Sequence, residues 1–180
     1  MRAAGLSRRY AKALADVAAE RQVLEPVGED LRMIAGLLKQ HRDAAALFAN
    51  PAVPMADKRR VLQALAERAG VQALSATFLG LILEKRRLPY LDEMVLAYGD
   101  LTDERLGRAK ATVTSAVPLP EPTQDGLKAR LRMATGKEIY LESRTDPAIL
   151  GGVVVQVGST IYDGSLKTQL RRMREQLLKG

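Results

Sequence analysis

Residues 151–177, "GGVVVQVGSTIYDGSLKTQLRRMREQL", decide how the second half of the chain folds, because they combine four glycines, two short apolar runs and a basic tail. The runs at 152–157 and 159–162 are rich in β-branched residues, which favour strands. So few residues separate them, around Gly158–Ser159, that an antiparallel hairpin is predicted. On this interpretation the glycines shape a sheet.

The residues on either side of the hairpin predict how it joins its neighbours. Before it, "TDPAILGG" (145–152) predicts a single helical turn, with Asp146 as its cap and Gly151 as its stop. After it, Asp163–Gly164 predicts a turn, and Ser165 can cap a last helix. That helix would have one apolar face, formed by Leu166, Leu170, Met173 and Leu177.

Glycines beside positive charge often cradle phosphate, but this segment lacks the spacing of a phosphate loop. No Gly-Lys-Ser/Thr occurs, since Gly136–Lys137 is followed by Glu138, and residues 151–164 contain no G-x-G-x-x-G. The chain has no Cys, and its single His, His41, is predicted to pack or to cap a helix. Ser and carboxylate residues show no catalytic spacing. The sequence therefore predicts no enzyme, no cofactor and no metal site.

The first hundred residues follow a helical period. Apolar residues recur three and four apart, and Pro, Asp and Gly at the ends of these runs divide them into six helices joined by short turns. The period then changes to two, and 111–117 and 137–143 predict strands with a helix at 123–135 between them. The predicted fold class is mixed: a six-helix bundle over residues 1–105, followed by a small α+β domain over residues 106–180.

The positive charge of the chain belongs mostly to its second half. The net charge is +7, of which residues 1–104 hold +1 and residues 105–180 hold +6. This asymmetry favours an acidic partner, such as nucleic acid, lipid headgroups or an acidic protein surface. One alternative is therefore a basic nucleic-acid-binding protein that uses residues 165–180. Aromatic residues form only 4% of the chain and include no Trp, which disfavours single-strand binding by base stacking.

Two stripes of small residues lie on the predicted helices. The first helix carries Ala11, Ala15 and Ala18, and the fifth carries Ala73, Ala76 and Gly80. Small side chains let helices approach closely. The stripes therefore have two interpretations: a groove for an incoming partner helix, or close packing within the bundle.

Four longer motifs cover nearly the whole chain. They are "RRYAKALADVA" (8–18), "NPAVPMADKRRVL" (50–62), "LILEKRRLPYLDEM" (81–94) and "DPAILGGVVVQVGSTIYDGSLKTQLRRM" (146–173). Together they resemble the delta subunit family of F-type ATP synthases, known in mitochondria as the oligomycin-sensitivity-conferring protein. The last motif is the most specific. Two residues depart from the usual pattern: Ala15 stands where the family often has a larger residue, and Ser159 where it often has Asp.

The resemblance implies a non-catalytic stator subunit without a cofactor. Its first domain would bind the N-terminal helices of the alpha subunits of the catalytic head, and its second domain the b subunits of the peripheral stalk. Proton-driven rotation would thereby be coupled to ATP synthesis. The partner-binding residues that it implies are Tyr10, Ala11, Leu14, Ala15, Ala18, Ala76, Leu79, Gly80 and Leu83. In the basic tail, candidates for steering an acidic stalk surface are Arg171, Arg172 and Arg174.

The sequence also predicts where the protein works. Charged residues such as Arg8, Arg9 and Asp16 interrupt the N-terminus, unlike a signal peptide. The longest uncharged run, 147–162, is shorter than the roughly 20 residues of a membrane span. These two features predict a soluble protein, and the resemblance implies a peripheral position on the cytoplasmic side of the bacterial cell membrane, attached only through the complex.

Overall fold

A computed structural model gives the structure of the chain and describes residues 2–158 and 160–170. Within these residues it contains seven α-helices of eight residues or more, one 3₁₀ turn and a four-stranded sheet, so the predicted mixed class is confirmed. The chain divides into two compact units, Met1–Thr102 and Asp103–Gly180. The end of the predicted last helix lies outside the described residues, and with it Met173, Leu177, Arg171, Arg172 and Arg174.

The first unit consists of helices whose ends follow the predicted signals. Gly70, for example, closes a helix in the left-handed conformation at φ 66°, which glycine adopts readily. His41 is exposed, so the predicted packing is wrong. It does occupy the cap position between the second and third helices, where its backbone N–H donates to the Leu37 carbonyl at 3.0 Å and its side chain forms no capping hydrogen bond. A 3₁₀ turn spans Leu88–Tyr90. The helices are α1 (Arg2–Glu20), α2 (Leu24–Gln40), α3 (Arg42–Ala49), α4 (Met55–Ala69), α5 (Ala73–Glu84) and α6 (Leu91–Arg105).

An apolar core joins the helices of the first unit. Tyr98 of α6 is its largest fully buried side chain, and the Tyr98 hydroxyl donates to the Leu24 carbonyl at 2.9 Å. Gly28 of α2 lies against this ring, because an added Cβ would be 3.3 Å from it. α2 and α6 therefore approach closely. The buried members of α1, α4 and α5 are Ala11, Leu14, Ala15, Ala18, Leu62, Phe78, Leu79, Ile82 and Leu83.

The second unit is a sheet with one helix packed on it. Its elements are β1 (Arg108–Ser115), α7 (Glu121–Thr135), β2 (Glu138–Thr145), β3 (Val153–Val157) and β4 (Thr160–Asp163), and the strand order is β2-β1-β3-β4. β1 and β2 are parallel, and α7 forms the crossover that this pairing requires. The remaining pairs are antiparallel. The core between helix and sheet contains Ala111, Val113, Leu131, Ile139 and Val155.

The hairpin of the opening segment is confirmed, whereas the helical turn before it is not. β3 and β4 pair with Val157 opposite Thr160. Within residues 145–152, the Ile149 N–H donates to the Asp146 carbonyl at 3.1 Å, which is a four-residue turn. The Asp146 side chain also accepts a backbone N–H bond. Asp146 thus caps a β-turn instead of a helix.

The glycines beside the hairpin allow two backbones to meet. Gly152 has φ 80°, and a Cβ there would lie 2.4 Å from the carbonyl oxygen of Gly164. The following turn is bonded through Asp163, which accepts from the Ser165 N–H at 2.9 Å and from the Thr168 hydroxyl at 2.7 Å. The Thr168 N–H in turn donates to the Ser165 hydroxyl oxygen at 3.3 Å, the predicted cap. These glycines therefore have a structural role.

Candidate partner-binding surfaces

The start of α5 is fixed by a carboxylate from another helix. Asp30 of α2 is only 7% exposed, and its Oδ2 accepts the Gln72 backbone N–H at 2.9 Å and the Ser75 hydroxyl at 2.6 Å. Gln72, which precedes α5, forms no side-chain cap of its own. A negative charge at a helix N-terminus also complements the helix dipole. Asp30 therefore determines where α5 begins relative to α2.

A groove runs between α4 and α5 on the first unit, with a volume of about 560 Å³. Its small lining residues include Ala66, Ala76 and Gly80, and an ion pair between Arg59 and Glu84 joins its two helices. A Cβ added at Gly80 would meet no heavy atom within 4 Å, so the groove is open above this residue. The other lining residues are Leu62, Gln63, Glu67, Val71, Thr77 and Leu81. Such a surface can accept an amphipathic helix.

Tyr10 of α1 lies half-buried beside α5. Its ring packs edge-on against Phe78, with the ring centroids 6.4 Å apart. The Arg87 guanidinium lies 5.0 Å from the Tyr10 centroid and also donates to its hydroxyl. Arg87 therefore holds Tyr10 in place by a cation–π contact and a hydrogen bond.

The structure separates the nine residues that were predicted on α1 and α5. Six of them pack within the unit: Ala11, Leu14, Ala15, Ala18, Leu79 and Leu83. Because their side chains are buried, they offer no surface to a partner in this conformation, and the small stripe of α1 serves close packing. Ala76 and Gly80 instead line the groove, and Tyr10 is partly accessible. The predicted set is thus not one continuous surface.

A second apolar region surrounds α3. Two cavities, of about 410 and 280 Å³, share Phe48, Ala49, Leu88 and Pro89. The Lys58 ammonium of α4 is buried here and donates to the Phe48 carbonyl at 2.8 Å. A cation at this place favours the C-terminal end of α3. Lys58 thus contributes to the packing of α3 against α4, whereas the neighbouring Arg59 and Arg60 are exposed.

Several titratable groups of the described residues form ion pairs. No three His, Asp or Glu side chains among the described residues could hold a metal ion. The Lys110 ammonium and then the Arg144 guanidinium, both bonded to Glu142, hold the pKa of that carboxyl below its ordinary value of 4.5. Glu142 therefore stays ionised at neutral pH and links β1 to β2.

The sequence reasoning missed Asp30 and Lys58, although a signal for both was present. Asp30 lies three residues after Val27 and four before Ile34, and Lys58 lies four before Leu62. All three of these apolar residues are in the core. A polar residue on such a stripe is buried with it, and buried polar groups are almost always hydrogen-bonded.

The first unit carries an open groove, and the second unit is a small sheet fixed by hydrogen bonds and ion pairs. These features are typical of a protein that works through contacts with other proteins. The sequence matches the family described as ATP synthase delta (OSCP) subunit over residues 6–177. It is 38% identical over 174 residues to ATP synthase subunit delta of Myxococcus xanthus (strain DK1622), and 40% identical over 172 residues to that of Anaeromyxobacter sp. (strain Fw109-5). Each match covers 96% of both chains. A chain of the Toxoplasma gondii mitochondrial ATP synthase hexamer has a similar structure, with a TM-score of 0.70 at 27% identity over 96% of this chain and 97% of that one.

The chain therefore belongs to the ATP synthase delta (OSCP) subunit family. It is a stator component of the F-type ATP synthase, and it is a structural subunit rather than a catalytic one. The alternative of a nucleic-acid-binding protein finds no support in these similarities. Among the helices that the structure describes, none combines the length and the apolar character needed to cross a membrane.

Proposed function

We propose that this chain connects the catalytic head of the ATP synthase to its peripheral stalk through two separate domains. Residues 1–105 form a self-contained six-helix bundle that binds the N-terminal helices of the alpha subunits. Residues 106–180 contact the b subunits of the stalk. The chain works on the cytoplasmic side of the bacterial membrane and is attached there only through the complex, without a cofactor of its own.

The observation that carries the head contact is the open groove between α4 and α5. Ala76 and Gly80 are its small residues, and the space above Gly80 is free. A partner helix can approach a glycine closely, so that many apolar contacts share the load when the rotor pulls on the head. Tyr10, held by Arg87 on the α1 side of α5, is a further accessible contact.

The buried members of the predicted set support this contact indirectly. Leu79 and Leu83 fix α5 in the core, and Ala15 lets α1 pack closely within the same core. A densely packed interior transmits strain instead of yielding to it. The core residues therefore make the bundle a stiff support for the groove.

A bulky side chain at Gly80 tests the proposal. Gly80→Trp should weaken binding of an alpha-subunit N-terminal peptide at least about tenfold, because the indole fills the space that the peptide helix needs. Gly36→Trp is the matched control, since Gly36 is also a helical glycine with nothing within 4 Å of an added Cβ, and lies on α2 away from the groove. Thr77→Trp, at an exposed lining position, is a second blocking variant. Wild-type affinity in both blocking variants would place the head contact elsewhere.

A further inference from the structure

Among the described residues of the second unit, the cations of the sheet differ from those at the end of α7. Those on the sheet are matched by acids on a neighbouring strand: Arg108 pairs with Glu138 at 3.5 Å, and Lys110 pairs with Glu142. Arg144 also pairs with Glu142. The described part of the sheet therefore has little positive charge left over for a partner.

The second half of α7 and the turn after it differ from the sheet. Arg130, Arg132 and Lys137 are exposed and form no ion pair with any residue that the structure describes. Met133 lies among them and is 87% exposed, the most exposed of the large apolar side chains described. Leu131 points the other way, into the core. An apolar side chain surrounded by unmatched cations thus faces outward from the unit.

We propose that Arg130, Arg132, Met133 and Lys137, here called the α7 patch, dock an acidic amphipathic helix of the peripheral stalk. This rests on the proposed function, which assigns the stalk contact to residues 106–180. Acidic side chains of the stalk helix pair with the cations, and an apolar side chain covers Met133. Buried apolar contacts with charges at the rim are the usual arrangement of a protein interface.

Stabilisation of the helix dipole does not account for all residues of the α7 patch. Cations in the last turn stabilise a helix through its dipole, and Arg132 serves α7 in this way. Arg130 precedes the last turn, where the dipole effect has faded, and an exposed Met133 contributes nothing to it. Arg130 and Met133 are three residues apart, so they lie on the same helical face. That shared face is what a partner helix would contact.

The test is the affinity of the full chain for the soluble part of the stalk b subunits at low and high salt. Arg130→Glu with Arg132→Glu should weaken binding about tenfold at low salt, and the difference should shrink at high salt because rim charges are screened. Met133→Ser should weaken binding about threefold at both salt concentrations, since it removes apolar contact. Arg8→Glu with Arg9→Glu, an equal charge change at two exposed residues of α1, is the control and should leave stalk affinity unchanged.

The outcomes separate this inference from the proposed function. If the wild-type chain binds the stalk and both α7 variants bind equally well, the α7 patch is only a solvated face and the inference is wrong. If the wild-type chain fails to bind the stalk at all, the proposed function fails and the inference with it. The circular dichroism spectrum of the charge-reversal variant should match that of the wild type, which shows that the variant folds. The variant Arg130→Gln with Arg132→Gln removes the charges but keeps long polar side chains, and it should weaken stalk binding by less than the charge reversal does.

Discussion

Replacing Asp30 with Ala removes the bonds that fix the start of α5. Gln72 is exposed, so water can replace its lost bond, whereas Ser75 is fully buried and its hydroxyl would be left unpaired. An unpaired buried hydroxyl costs about 1–3 kcal/mol. Loss of a helix cap costs about 1 kcal/mol more. We therefore expect the free energy of unfolding of the first unit to fall by about 2–4 kcal/mol.

Urea unfolding followed by far-UV circular dichroism measures this loss, and hydrogen exchange of the α5 amides locates it. Asp100→Ala, at an exposed position of α6, is the matched control and should change stability by less than about 0.5 kcal/mol. Ser75→Ala removes one donor and should cost about 1 kcal/mol. The double variant should cost less than the sum of the single ones, because the two residues share one interaction. A loss for Asp30→Ala no larger than that of the control would refute the capping role.

Three further perturbations follow from the contacts. Gly152→Ala should destabilise the second unit by at least about 2 kcal/mol in thermal unfolding, because its Cβ would collide with the Gly164 carbonyl. Lys58→Met should lower the free energy of unfolding by about 1–2 kcal/mol in urea unfolding, since it removes the hydrogen bond to the Phe48 carbonyl. Lys58→Arg keeps a donor at this position and should lower the free energy of unfolding by less. The pKa of Glu142 is lowered on folding, so its ion pairs contribute stability above pH 4.5 that is lost as the pH falls through the lower folded value. Glu142→Gln should therefore reduce the loss of stability between pH 5 and pH 3, measured as the shift of the urea midpoint.

Local spacing predicted most of the elements, because it reflects interactions within one helix or strand. The alternation at 111–117 predicted β1, the short gap at Gly158–Ser159 predicted the hairpin, and Ser165 predicted a cap. Residues 145–152 were predicted as a single helical turn capped by Asp146. The side chain and the carbonyl of Asp146 accept backbone N–H bonds in a β-turn as well as they would in a helical turn. An Asp at this position therefore does not distinguish a helical turn from a β-turn.

The candidate surface was harder to predict, because burial depends on which helices become neighbours. Ala11 and Ala76 both belong to small stripes with helical spacing. The first is fully buried, whereas the second lines an open groove. Asp30 was missed because its two partners lie more than 40 residues further along the chain. The spacing around Met133 does not predict a partner contact. Its exposure follows from the packing of α7, which buries Leu131 in the core and leaves Met133 on the outer side of the helix.

Single-cysteine cross-linking in the assembled ATP synthase tests the central claim most directly, because the chain has no Cys of its own. Thr77→Cys would place one thiol on the rim of the α4–α5 groove, and Arg130→Cys would place one on the α7 patch. With a short cross-linker, we expect the first variant to be joined to an alpha subunit and the second to a b subunit. If the first is joined only to the stalk and the second only to the head, or if neither is joined to these partners in an intact complex, the division of the chain into a head-binding and a stalk-binding domain is wrong.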